Sequence, residues 1–257
     1  MTFRLIHLAA ATPSLLALAA AFPAAAQDEG TPWSGWYVGA NIGANWGDSS
    51  TRATVASGGG PISIPPADID LINAAGGKGN NKTGFTGGVE GGFNYQTGNI
   101  LLGIETEFSA LDVNQRHTEN FVSAIPLSGA IYQLNQRAKT SWMWTLRPRL
   151  GYVAGPWLIY ATGGLATSKI KSSLDFSDNR TPQNRISSSD SKTKTGWIAG
   201  AGAGYALDAN WSVKGEWLYA DFGSISTTFV SPGGFVALTS KAKVRSNLIR
   251  LGVDYRF

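Results

Sequence analysis

Leu248-Ile249-Arg250-Leu251-Gly252-Val253-Asp254-Tyr255-Arg256-Phe257 closes the chain and alternates almost without a break. Ile249, Leu251, Val253, Tyr255 and Phe257 share one face of a strand; Arg250, Gly252, Asp254 and Arg256 share the other. A strand repeats every two residues, so one face is apolar and the opposite face charged. In a water-soluble sandwich the charged face would meet solvent. In an outer-membrane barrel the apolar face meets lipid and the charged face meets the lumen. The aromatic at the end favours the barrel, whose strands finish in aromatic girdles at the membrane interfaces. Phe257 is then the expected assembly signal, read on the C-terminal strand by the barrel-assembly machinery.

The N-terminal sequence agrees. Arg4 and His7 precede an apolar run from Leu8 to Phe22, and Ala24-Ala25-Ala26 follows. A basic start, a short apolar stretch and small residues make a secretory leader. Residues 1–26 are expected to be the signal peptide, and 27–257 one outer-membrane barrel domain. After Phe22 no apolar stretch is long enough for a spanning helix.

Composition suits a barrel held by backbone pairing. The 257 residues include 32 Gly, 9 Trp and no Cys, so disulfides and thiolate metal sites are excluded. The formal charge is only +4 and the basic residues are scattered, which leaves no nucleic-acid footprint.

Eight alternating segments are long enough to span, given the roughly 9–11 residues a tilted strand needs. They lie near Trp33–Trp46, Thr83–Tyr95, Ile100–Leu111, Thr140–Val153, Trp157–Ser168, Thr195–Leu207, Trp211–Phe222 and the terminal strand. In the fifth, Leu158, Tyr160 and Thr162 are taken as the lipid-side set. Pro148 inside the fourth cannot donate to the ladder, so a bulge is expected there. Tight connections at 96–99, 153–156 and 207–210 alternate with long polar ones, roughly Gly47–Lys82, Asp112–Lys139, Lys169–Lys194 and Gly223–Lys243. Short periplasmic turns and long external loops are the pattern of bacterial barrels. The fold expected is an all-β, eight-stranded antiparallel transmembrane barrel among outer-membrane lipids.

Aromatics gather at both ends of these strands. Trp36, Tyr95, Tyr152, Trp157, Tyr205, Trp211, Tyr255 and Phe257 fall on the turn side. Trp46, Phe85, Phe108, Trp142, Trp197 and Tyr219 fall on the loop side. Two rings of amphipathic side chains mark two membrane interfaces.

The inward positions hold five acids, Glu90, Glu105, Glu107, Glu216 and Asp254, and five bases, Arg147, Arg149, Lys214, Arg250 and Arg256. An eight-stranded barrel has an interior just wide enough for side chains to fill. Balanced charges there read as an ion-pair network that plugs the lumen. The same residues also read as the lining of a narrow pore.

Several segments resemble the small outer-membrane barrel proteins of alphaproteobacteria, of the RopB type, often labelled porin-family proteins. They are Trp33-Ser34-Gly35-Trp36-Tyr37-Val38-Gly39, Arg147-Pro148-Arg149-Leu150-Gly151-Tyr152, Tyr160 to Ala166, Trp211 to Gly223, and Arg250 to Phe257. The resemblance covers the strands and not the loops, and Pro148 stands where the group often has Gly. It implies an outer-membrane location and a role in envelope integrity or surface interaction.

A structural or surface-interaction barrel, a small porin, and a membrane-embedded hydrolase are the competing functions. Beyond the leader the chain has one histidine, His117, and neither a G-x-S-x-G nor an H-E-x-x-H motif. No catalytic residue, metal or cofactor is therefore expected. The resembling group includes members that bind haem, which would draw attention to His117 and Tyr132, but one histidine is a thin ligand set. The glycine-rich stretches Gly58-Gly59-Gly60-Pro61 and Gly76 to Lys82 lack the spacing of a phosphate loop. Serine-rich external loops name no ligand.

Overall fold

The computed structural model describes residues 33–57, 69–70, 83–123, 131–179, 186–230 and 236–257. The leader and the glycine-rich stretches of the first loop lie outside them. Eight strands form: β1 (Gly35–Ser57), β2 (Thr83–Thr97), β3 (Ile100–Val122), β4 (Ile131–Ala154), β5 (Trp157–Asp178), β6 (Ile186–Ala206), β7 (Trp211–Val230) and β8 (Val236–Arg256). Each pairs antiparallel with the next, and β1 pairs with β8 to close the barrel. Closure removes free edges, which is what a lipid solvent demands of backbone N–H and C=O groups.

The barrel is inverted relative to a water-soluble protein. Phe85, Ile159 and Leu251 are 63%, 65% and 68% exposed, whereas Arg147 and Arg250 are 0% and 2% exposed. The period-two alternation of β8 thus sends its apolar set to the outside and its charges to the lumen. β5 faces the other way from the expectation. Leu158, Tyr160 and Thr162 point into the lumen, and Trp157, Ile159 and Leu165 point out. Both faces of this strand are largely apolar, so periodicity could not phase it.

Tight turns join β2 to β3 and β4 to β5, with Gly98 and Gly155 each at φ 58°. That left-handed backbone suits two-residue hairpins. Pro148 causes no register shift: it faces Ile104 of β3, and β4 keeps one register with β5 from Leu146↔Leu165 to Arg149↔Thr162. The expected bulge is absent, and the Pro148 carbonyl accepts a bond from the Thr162 hydroxyl at 2.9 Å. Register shifts lie instead at Ala110/Val113, Thr140/Met143 and Asp221/Ser224. In the last, Gly223 adopts φ 71° and its N–H donates to Asp221 Oδ1 at 2.7 Å.

The described parts of the long connections are mostly strand. β3 and β4 stay paired to Val122↔Ile131, β5 and β6 to Phe176↔Ile186, and β1 and β8 to Ser57↔Val236. Beyond the membrane both faces of a strand meet water, so alternation disappears while backbone pairing continues. By contrast, among the described residues β1–β2 pairing reaches only Trp46↔Thr83 and β6–β7 pairing only Trp197↔Asp221. The wall therefore continues outward as two sheets, β3-β4-β5-β6 and β7-β8-β1.

Candidate functional site

Three layers fill the lumen. At the turn end Trp33, Leu101, Val153, Leu158 and Tyr160 form an apolar cluster. At the loop end Leu111, Met143, Ala166, Ile170, Ile198, Leu218, Ala220, Phe222, Val244 and Leu248 form a larger one. The charged residues lie between them, in the middle of the barrel.

Arg147 of β4 is the hub of that layer. Its Nη2 donates to Glu105 Oε1 and, at 3.0 Å, to Glu107 Oε2, and its Nη1 reaches Glu216 Oε2 at 3.2 Å. Arg149 and Lys214 meet on Glu105 Oε2, with Lys214 Nζ at 2.9 Å. Lys214 also touches Glu90 at 2.8 Å and Asp254 at 3.5 Å. Arg250 pairs with Glu107. The structure thus joins Glu90, Glu105, Glu107, Arg147, Arg149, Lys214, Glu216, Arg250 and Asp254 in one network. Arg256 stands apart, its guanidinium 5.2 Å above the Trp33 ring at the turn end.

Neutral side chains that alternation did not single out complete the layer. The Tyr37 hydroxyl donates to Glu105 Oε2 at 2.7 Å, and Asn41 Nδ2 to Glu90 Oε2 at 3.1 Å. The Tyr160 hydroxyl reaches Glu216 at 3.3 Å, and its ring lies 4.2 Å below the Arg149 guanidinium. Inward glycines make the space: a Cβ on Gly202 would lie 2.5 Å from the Tyr160 ring. The apolar layers also escaped the sequence reading. Their signal was the doublets that break alternation at strand ends, such as Leu101-Leu102 and Leu248-Ile249.

Oxygens of Glu90, Glu105 and Glu107 lie within 4.8 Å of one another, close enough for one divalent cation. Arg147, Arg149, Lys214 and Arg250 already neutralise that space. The His117 and Tyr132 side chains lie outside those described.

The aromatics stand where two interfaces would meet them. On the turn side Trp36 packs on Phe93, Trp157 on Tyr205, and Trp211 on Tyr255, which also meets Phe257. Tyr95 and Tyr152 are exposed beside them. On the loop side Phe108 stacks on Trp142, and Trp197 packs on Tyr219. Trp46 pairs with Thr83 of β2 at that level.

Comparison with known proteins agrees with this architecture. Residues 14–257 match the family model described as outer membrane protein beta-barrel domain. The chain is 32% identical over 240 residues to the 31 kDa outer-membrane immunogenic protein of Brucella melitensis, covering 91% of this chain and 88% of that one. It is 30% identical over 176 residues to the 22 kDa outer membrane protein of Rhizobium leguminosarum, covering 68% and 67%. Among solved structures, the outer membrane protein OprG from Pseudomonas aeruginosa aligns with a TM-score of 0.47 at 14% identity, covering 87% of this chain and 96% of that one. An inverted, closed eight-stranded barrel with a match over nearly its whole length leaves one conclusion: the chain belongs to the outer membrane protein beta-barrel domain family and is a protein of the outer membrane.

Proposed function

We propose that this protein is a sealed structural barrel, which contributes to envelope integrity and presents its loop-end strands at the cell surface. One observation carries the proposal: a layer of nine charges linked by ion pairs is closed above and below by apolar clusters inside the barrel. Ions crossing it would have to shed water twice against hydrocarbon and displace buried ion pairs, each of which is costly to break. The role is non-enzymatic, because the buried carboxylates are tied to cations rather than to a nucleophile. Relatives named immunogenic proteins fit a chain whose outer strands meet the surroundings.

The test is conductance of refolded protein in a planar bilayer, with folding established by a heat-dependent gel shift. A silent bilayer is expected. Stable steps whose ion selectivity follows Arg149→Ala or Glu105→Ala would make the protein a small porin instead.

A further inference from the structure

The loop-end rim of β4 and β5 carries three cations that no ion pair compensates among the described residues. Along β5 the outward positions run Trp157, Ile159, Ala161, Gly163, Leu165, Thr167, Lys169 and Lys171, alternating with buried Ser168 and Ile170. A strand advances ~3.3 Å per residue, or ~2.5 Å of depth at a tilt of ~40°. The apolar band of a barrel is ~25 Å tall, about ten residues, so a band starting at Trp157 ends near Thr167. Lys169 and Lys171 then stand in the headgroup layer. Lys139 of β4, exposed beside buried Thr140, is directly opposite Lys171 in the ladder. Like charges directly opposite each other in a sheet repel.

Nothing among the described residues offsets that repulsion. Lys139, Lys169 and Lys171 make no ion pair there, unlike Arg245, which holds Asp221 at 3.1 Å, or Lys192, which holds Asp190 at 2.9 Å. The facing positions on β6 are Thr193 and Ser191. The acid on the same row, Asp175, is about four residues, or ~10 Å, farther out and accepts a hydrogen bond from Ser187. Phe108 and Trp142 stack immediately below.

We propose that Lys139, Lys169 and Lys171 form a binding site for the phosphate groups of a phosphorylated glycolipid of the outer leaflet, the lipid A class. Ammonium groups act as point charges toward phosphate oxygens. The exposed apolar wall below, with Leu165 and Trp144, would receive the acyl chains. This site depends on the outer-membrane location and not on whether the lumen conducts.

The test uses the refolded protein in zwitterionic micelles and two fluorescent probes, bisphosphorylated lipid A and the same lipid with its phosphates removed. The wild type should prefer the phosphorylated probe by about tenfold or more, since each surface lysine adds attraction. K139Q/K169Q/K171Q should abolish that preference, and K241Q/K243Q on the opposite wall should keep it. K171Q alone should weaken binding yet leave the lipid-free barrel at least as resistant to urea, because it removes a repelling pair. Inorganic pyrophosphate should compete poorly. No preference in the wild type, or a preference retained in the triple variant, would overturn the site. So would equal loss in K241Q/K243Q, and full displacement by pyrophosphate would overturn the lipid as its ligand.

Discussion

Arg147 and Glu216 join across the lumen, Nη1 to Oε2 at 3.2 Å, although β4 and β7 are not neighbours in the wall. The contact is therefore a strut through the barrel rather than a rung of its ladder. Both side chains are almost wholly shielded from solvent, and Arg147 also pairs there with Glu105 and Glu107. Arg147→Met should cost roughly 3–5 kcal/mol, the usual penalty when one partner of a buried pair is removed and the other stays charged. Equilibrium urea unfolding in lipid vesicles, followed by tryptophan fluorescence, measures it. Adding Glu216→Gln to Arg147→Met should recover part of the loss, and a coupling energy near zero would mean the strut carries no load.

How far the sequence disclosed this arrangement varies with the residue. β8 was legible because Ile249, Leu251 and Val253 alternate with Arg250 and Asp254, and burial follows that pattern. Leu158 and Tyr160 were misplaced because β5 is apolar on both faces, and a period needs contrast. The charges of the network were legible one by one, but their pairing was not. Arg147 and Glu216 are 69 positions apart, and only closure of the barrel brings them together. The outer strand extensions were invisible for a different reason. Water on both sides removes the alternation on which strand recognition rests, although the backbone ladder persists to Ser57 and Val122.

Sealing by layers makes a prediction about leakage. Glu105→Ala alone should leave the bilayer silent, because Leu218 and Leu248 still close the loop end, both at 0% exposure. Glu105→Ala combined with Leu218→Ala, Leu248→Ala and Leu101→Ala should admit ions. Liposomes loaded with a potassium-sensitive dye report this. Equal leakage from the single and the combined variant would assign the seal to the charges alone.

The two aromatic rings define depth, and depth is measurable. Trp157 packs edge-on against Tyr205 at 4.8 Å on the turn side, and Trp197 packs on Tyr219 at 5.4 Å on the loop side. Single-tryptophan versions retaining either one should be quenched most by spin labels near the headgroup, since amphipathic rings settle at the interface. Stronger quenching by a label at the acyl terminus would displace the rings from the interfaces. Trp157→Ala should cost about 0.5–1.5 kcal/mol for the lost ring pair in addition to its burial in lipid.

The turn between β6 and β7 carries a pH dependence of known sign. The Asp208 carboxylate accepts from the Trp211 N–H at 2.7 Å and the Asn210 N–H at 2.8 Å. Those two bonds hold its pKa below the ordinary aspartate range. A depressed pKa in the folded state means that the contribution is present above the unfolded value of about 3.9 and is lost as pH falls through the folded value. The Trp211 amide should exchange faster with solvent on acidification through that window, after correction for intrinsic rates. Asp208→Asn should flatten the response, and an unchanged pH profile would show that the carboxylate does not order the turn.

Gly202 and Gly163 separate lumen packing from backbone freedom, because both lie within paired strand. Gly202 faces the lumen, where an added Cβ would lie 2.5 Å from Tyr160 Cζ and 2.8 Å from the Gly215 carbonyl. The Tyr160 ring cannot retreat freely, since Arg149 lies 4.2 Å above it. An added Cβ on Gly163 would come no closer than 3.5 Å to Ile198 O, which is ordinary contact. Gly202→Ala should therefore destabilise by about 1–3 kcal/mol, as overpacking does. Gly163→Ala should be neutral or slightly stabilising through its unfolded state. Urea unfolding of the two variants side by side decides it: equal losses would mean that glycine at these sites serves the strand itself, and a loss at Gly202 alone would assign it to the space the buried charges and tyrosines occupy.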